Sequence, residues 1–313
     1  MNPTYSIIAP VFNEKDCLDV LYTRISETMD GYGEPWELIL IDDGSSDGST
    51  EIMKRLSEND RRIRCIYFAR NFGHQIAVTA GMDHALGDAV VVIDADLQDP
   101  PHVILELIEK WKEGFEVVYA VRKERDGESW FKKTTASLFY RLIDKIADVR
   151  IPLDTGDFRL YDRKVINVMK QMPEKNRFLR GMSSWVGFRQ IGVEYHREER
   201  YAGSSHYPLR KMLKLALTAI TGFSTVPLQL ALWTGGIFCA LSVIAAVINL
   251  IAHSGNGAVI AVFFMGGVIL VFLGIIGEYI GRIYEEAKDR PLYVTREISQ
   301  SVYDQTDINQ ENK

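Results

Sequence analysis

Two uncharged apolar runs near the end of the chain restrict its fold more than any other feature. The first, residues 228–252 (LQLALWTGGIFCALSVIAAVINLIA), carries no charge over 25 residues. At 1.5 Å rise per residue it reaches roughly 37 Å, enough to cross a hydrocarbon core with some tilt. The second, residues 258–277, is also uncharged and stops at Glu278. Two buried helices of a soluble core would need a surrounding shell that this chain lacks, so a membrane hairpin is expected. Arg210, Lys211 and Lys214 precede the first run, Arg282, Lys288 and Arg290 follow the second, and the linker 253–257 has no Lys or Arg. The positive-inside rule then puts both chain ends in the cytoplasm and the short turn on the other side. No signal peptide is visible, since residues 1–9 carry no basic n-region. Residues 208–223 (PLRKMLKLALTAITGF) mix basic and apolar side chains at helical spacing. They suit a helix lying in the membrane interface, the plainer alternative being a helix packed on the soluble part.

The remainder reads as an ordinary soluble α/β protein. Short β-branched runs (5–9, 38–41, 63–68, 89–93, 116–120) alternate with helical patterns (16–29, 49–59, 75–86, 101–113). Alternation with continuously apolar strands predicts a mainly parallel, Rossmann-like sheet covered on both faces. The expected organisation is a domain over 1–207, an amphipathic segment over 208–227, two spans within 228–281 and a tail over 282–313. The tail beyond Arg290 is polar and expected to be poorly ordered. With 36 basic and 42 acidic residues the net charge is −6, the wrong balance for a protein whose main partner is nucleic acid. Cys17, Cys65 and Cys239 form no C-x-x-C pair, as expected of reduced thiols in the cytosol.

In such sheets ligands bind at the carboxyl ends of the strands. There the sequence places Pro10-Val11-Phe12-Asn13-Glu14, then Asp42-Asp43-Gly44-Ser45-Ser46-Asp47-Gly48, then Asp94-Ala95-Asp96-Leu97-Gln98-Asp99. Neither G-x-G-x-x-G after the first strand nor G-x-x-x-x-G-K-[ST] is present, which argues against dinucleotide oxidoreductases and P-loop NTPases. Asp94, Asp96 and Gln98 alternate, so on extended backbone they share one side. Oxygen donors with no neighbouring His or Cys in the segment suit Mg²⁺ or Mn²⁺, which takes its remaining ligands from water and phosphate.

Together with Arg70-Asn71-Phe72-Gly73-His74-Gln75, these segments resemble the family 2, GT-A fold glycosyltransferases. The nearest branch in appearance is the polyprenyl-phosphate one, which includes bactoprenol glucosyltransferases and dolichol-phosphate mannose synthases. The resemblance implies that Pro10, Val11, Asn13, Glu14, Asp42 and Asp43 hold a nucleotide sugar, with Arg70 and Gln75 lining the same pocket. It implies that Asp94, Asp96 and Gln98 hold the metal bridging the diphosphate. Thr155-Gly156-Asp157-Phe158-Arg159 resembles the segment bearing the catalytic aspartate, here Asp157. Arg122, Arg159, Arg200 and Ser205 are the acceptor-phosphate candidates, with Arg125, Lys132 and Lys133 behind them. His206 stands where the family commonly has Lys, and the other histidines read as structural.

The implied reaction is inverting transfer of a hexose, glucose from UDP-glucose first, to undecaprenyl or another polyprenyl phosphate at the cytoplasmic membrane face. GDP-mannose, UDP-GlcNAc or a modified arabinose donor is the alternative. A homo-oligomer, up to a tetramer, is implied by resemblance alone. A processive polysaccharide synthase would carry Gln-x-x-Arg-Trp and more spans. A non-catalytic nucleotide-sugar scaffold or small transporter would lose the acidic triad or hold charges within its spans. Neither pattern is found.

Overall fold

The computed structural model describes residues 2–123, 155–198 and 257–303, with isolated helical positions between 228 and 248. The chain divides into two units, one formed by 1–140, 149–207 and 291–313, the other by 141–148 and 208–290.

The first unit is built on an eight-stranded sheet. In chain order its elements are β1 (Tyr5–Val11), α1 (Leu18–Tyr32), β2 (Trp36–Asp42), α2 (Ser49–Asn59), β3 (Ile63–Phe68), α3 (His74–His84), β4 (Ala89–Val92), α4 (Val103–Lys112) and β5 (Val117–Arg122). There follow β6 (Thr155–Asp162), α5 (Arg163–Gln171), α6 (Leu179–Trp185), β7 (Gln190–Tyr195) and, far along the chain, β8 (Thr295–Ile298). The strand order is β7-β5-β6-β4-β1-β2-β3-β8. Strands β1 to β4 run parallel, while β6 opposes β4 and β5, and β8 opposes β3.

Every residue of β1, β2, β3 and β4 is buried, as continuous apolar strands between two helical layers must be. The helices bury single stripes: Leu18, Leu21, Ile25 and Met29 on α1, and Val103, Ile104, Leu107 and Ile108 on α4. Helix α3 is buried through Ala77–Met82 because it lies against β1 and β2. At Gly81 an added Cβ would fall 2.4 Å from Ile8 Cγ2, so the helix can approach this closely only without a side chain there.

Two strand directions decide what gathers at the sheet's carboxyl edge. Because β6 runs backwards, its first residues sit beside the last residues of β4: Val92 pairs with Arg159, which carries Asp157 level with Asp94. The second reversed strand is a departure from expectation. The tail beyond Arg290 was expected to be poorly ordered, yet Thr295–Ile298 forms the edge strand β8 beside β3. Open edge hydrogen bonds on β3 and small polar side chains explain it. Cys65 N–H donates to Ser299 Oγ at 2.7 Å, and Tyr303 OH donates to Trp36 O at 3.1 Å.

In the second unit, helix α7 (Gly257–Ala287) contains the apolar run and continues ten residues past Gly277. Its stretch Phe264–Ala287, with mean hydropathy 1.9, is long and apolar enough to cross a membrane. Most of the first run, the segment 208–223, and the candidates Arg125, Lys132, Lys133, Arg200, Ser205 and His206 lie outside the described residues.

Candidate active site

At the ends of β1 and β2 the carboxylates are occupied by the chain itself. Asp42, 4% exposed, accepts from Ser45 N–H at 2.8 Å and from the Thr50 hydroxyl. Asp43 accepts from Phe72 N–H at 2.6 Å and Gly73 N–H at 3.0 Å, tying the loop after β3 to that after β2. Burial raises its pKa, and those two N–H groups oppose the rise. Asn13, in left-handed backbone at φ 57, accepts from Ser46 N–H at 2.8 Å through its side chain. Glu14 N–H donates to Ser49 Oγ. Pro10 and Val11 are buried inside β1 opposite Ile41 and Asp42, so they present backbone rather than side chain. Arg70 lies exposed beyond β3, its guanidinium 3.9 Å from the centre of the Phe72 ring.

At the ends of β4 and β6 the arrangement is ionic. Asp157 Oδ1 accepts from Arg180 Nε at 2.7 Å. Its Oδ2 accepts from Gln75 Nε2 at 3.0 Å and lies 3.2 Å from His74 Nε2. The same His74 nitrogen is 3.6 Å from Asp94 Oδ1. Burial opposes ionisation of Asp157, but Arg180 and His74 outweigh it and hold the carboxyl well below its usual range. For His74 burial again opposes the charge, and the hydrogen bond to Asp157 with the field of Asp94 lifts its pKa to about 9. A cation at the first position of α3 goes against the helix dipole; the two carboxylates explain why it is held there.

Asp94 is pushed upward by burial, and its Oδ1 has no hydrogen-bond partner among the described residues. Asp96, 8% exposed, accepts from Gln98 N–H at 3.1 Å, while the Gln98 carbonyl accepts from Glu198 N–H. One residue on, the fully buried Asp99 accepts from the Tyr195 hydroxyl and lies 3.6 Å from Arg197 Nε. Arg122 Nε reaches the same Tyr195 oxygen at 3.4 Å. Burial, with the neighbouring Asp94 charge, raises Asp99 to about 6.

Several expectations change in position. Gln75 does not line the pocket with Arg70: it bridges Asp157 and Leu179 N–H at the start of α6. Arg159, an acceptor-phosphate candidate, is 0% exposed and spends its guanidinium on Gly156 O, Ser183 Oγ and Thr155 Oγ1. In this structure its guanidinium is committed to the protein's own groups. His74, read as structural, stands between the two key carboxylates. Among the described residues no three His, Cys, Asp or Glu side chains gather as a ligand cluster. A divalent cation here would draw on Asp94, Asp96 and the Gln98 amide oxygen, with water and phosphate supplying the rest. The Asp94 Oδ1, buried with no hydrogen bond among the described residues, fits that duty, and a hard oxygen donor set is the right chemistry. Arg180, Tyr195 and Arg197 were missed in the sequence, having no motif of their own.

The fold and this carboxylate-lined sheet edge are those of a GT-A glycosyltransferase. The chain belongs to glycosyl transferase family 2, whose model matches residues 6–169, and the GtrB C-terminal hairpin matches residues 226–283. An uncharacterized glycosyltransferase of Bacillus subtilis (strain 168), YkcC, is 54% identical over 300 residues, 93% of each chain. A bactoprenol glucosyl transferase of Shigella phage SfII is 41% identical, covering 93% of this chain and 97% of the other. Among solved structures, the mannosyltransferase PcManGT from Pyrobaculum calidifontis, in complex with GDP-Man and Mn²⁺, matches with a TM-score of 0.50 at 18% identity. That match covers 91% of this chain and 85% of the other and speaks to the fold alone.

Proposed function

We propose that this glycosyltransferase moves a hexose, glucose from UDP-glucose, onto a polyprenyl phosphate at the cytoplasmic face of a membrane. The observation that carries this is the 41% identity, over nearly the whole chain, to bactoprenol glucosyl transferases. The apolar helix and the matched hairpin support a lipid acceptor, because an anchored site meets a membrane-bound substrate at high effective concentration. The same site chemistry would serve GDP-mannose, UDP-GlcNAc or a modified arabinose donor.

Asp94, Asp96 and Gln98 would hold Mg²⁺ or Mn²⁺, which would supply positive charge to the diphosphate as it leaves. The acceptor needs little activation. A phosphate monoester has a second pKa of about 6 and is already largely dianionic at neutral pH. Asp157, kept ionised by Arg180 and His74, is therefore poorly suited to taking a proton. Its fixed negative charge instead orients the acceptor and favours the positive charge developing at the anomeric carbon. Gln75 and Arg180 keep that carboxylate in one orientation. Attack opposite the departing nucleoside diphosphate inverts the configuration. Arg122, at the end of β5, is the acceptor-phosphate cation within the described residues. A homo-oligomer, up to a tetramer, belongs to the same reading and is read from particle mass in detergent.

The test is transfer of radiolabel from a panel of nucleotide sugars to a short polyprenyl phosphate, with Mg²⁺ or Mn²⁺. Counts entering the organic phase from UDP-glucose alone, lost with EDTA and in Asp96→Asn, are the expected result. Transfer from another donor would reassign the sugar, and transfer from none would reject the reaction.

A further inference from the structure

The strand that follows the apolar helix takes part in the cleft beside Asp42 and Arg70, where no role has been given to its own residues. A cavity of about 130 Å³ opens at the ends of β2 and β3, lined by Asp42, Lys54, Tyr67, Arg70, Arg296 and Glu297 among others. Asp42 and Arg70 are donor-side residues, whereas Arg296 and Glu297 come from β8, across the whole apolar region in sequence.

Neighbouring residues on a regular strand point to opposite faces, so two in succession should not line one cleft. A bulge resolves this. Tyr67 pairs with Glu297 and Phe68 with Thr295, leaving Arg296 as the extra residue, and such bulges re-aim a side chain. The bulge is pinned on both sides, by Ala69 N–H to Val294 O and by Ser299 N–H to Cys65 O, each 2.9 Å.

The lining is chemically unfinished. Tyr67 is 3% exposed and its hydroxyl has beside it only the weakly bonding Cys65 thiol, with no stronger hydrogen-bond partner among the described residues. Arg296 makes no ion pair among them, while Glu297 is 3.5 Å from Lys54 Nζ. Planar guanidinium groups, a buried hydroxyl and a carboxylate–ammonium pair suit a flat heterocycle with carbonyl and N–H edges. We propose that β8 forms the outer wall of the donor pocket, with Arg296 and Glu297 contacting the base of the nucleoside diphosphate. This rests on the glycosyl-transfer reading and adds to it that the segment after the anchor sets donor affinity and base preference.

Calorimetric titration of the full chain in detergent with UDP, and separately GDP, reads this without any lipid acceptor. Arg296→Ala should weaken UDP binding roughly tenfold, the loss of one charge-assisted or stacked contact. KM for the nucleotide sugar should rise by the same factor with kcat within about twofold. Arg296→Lys keeps the charge but not the planar fork, and should recover only part of the affinity. Glu297→Gln, nearly isosteric and on an exposed position, should shift the ratio of UDP to GDP affinity about threefold or more by changing one edge contact. It carries the test should Arg296→Ala lower the melting temperature. Unchanged nucleotide affinity in Arg296→Ala and Glu297→Gln, with wild-type melting curves, would overturn the proposal. A wild-type protein that binds neither nucleotide would instead overturn the glycosyl-transfer reading and this wall with it.

Discussion

The two halves of the sheet's carboxyl edge are both rich in carboxylates and use them in opposite ways. Beside β1 and β2, Asp42, Asp43 and Asp47 are satisfied by backbone N–H groups and hydroxyls of their own and neighbouring loops. Beside β4 and β6, Asp94, Asp99 and Asp157 face His74, Arg197 and Arg180, and Asp94 and Asp99 each keep one buried oxygen without a hydrogen bond among the described residues. Neutral donors fix a loop's shape without needing a ligand. Buried opposite charges balance only when the set is complete, so removing one member costs more than it does at an exposed pair. The first half is thus held by neutral donors, and the second by a set of opposing charges.

The largest expected effect lies in the second half. Asp157→Asn should lower kcat by about 10²–10³-fold while donor affinity stays within about threefold, because a preorganised charge acts mainly in the transition state. It also strands His74 and Arg180. Breaking a fully buried pair costs ~3–5 kcal/mol; Arg180 keeps 27% of its side chain in water, so about 2 kcal/mol is expected in a thermal melt. A kcat loss without a melting change would break the contrast.

The pH behaviour sharpens the same contrast. A carboxyl whose folded pKa is depressed adds stability above its unfolded value, about 3.9, and loses it as pH falls through the folded value. Burial opposes the depression at Asp157, but Arg180 and His74 win. Its contribution should therefore persist down to about pH 4. A kcat/KM profile between about pH 5 and 7 should show no acid limb that Asp157→Asn abolishes. Such a limb would make Asp157 a proton acceptor after all.

In the first half the expected losses are of shape. Gly44 has φ +75, and a Cβ there would lie 2.8 Å from Arg70 C and Asn71 N, both backbone atoms. Gly44→Ala should cost about 3 kcal/mol and weaken UDP binding, since neither the turn nor its neighbour can yield. Asp43→Asn is milder. It exchanges two charge-assisted bonds for one neutral acceptor but relieves a buried charge, so about 1 kcal/mol is expected from the melting curve.

The same division explains what could be read from the sequence. Strands β1 to β5, helices α1 to α4 and the acidic loops were legible because apolar runs and turn residues are local signals; β6 and β7 were not among the expected strands. Asp94 and Asp157 were legible as motif members, and their meeting follows once β6 is known to run antiparallel. The partners of Asp157 were not. Arg180 reaches it from a short helix after an irregular connection, and Gln75 turned from the expected pocket to Leu179 N–H, both consequences of tertiary packing. Arg159 has a charged side chain in a core position, which polarity alone would place outside. The strand β8 was missed because Thr295–Ile298 is four residues with two charges; only the open edge of β3 makes it a strand.

That edge provides the smallest test and separates docking of β8 from its contact with a ligand. Ser299 Oγ accepts the Cys65 N–H at 2.7 Å, and Ser301 Oγ accepts from Arg64 Nη2 at 3.2 Å. Ser299→Ala leaves one backbone donor short of an acceptor, a loss of about 1 kcal/mol. The backbone bonds from Ala69 to Val294 and from Ser299 to Cys65 remain, so the strand should stay in register and UDP affinity should hold within about twofold. Arg296→Ala, which removes no bond between the strands, should do the reverse: an unchanged melt and weaker UDP binding. If Ser299→Ala instead weakened UDP binding as strongly as Arg296→Ala, β8 would act on the donor by holding the edge of β3 in place, and its side chains would have no separate part.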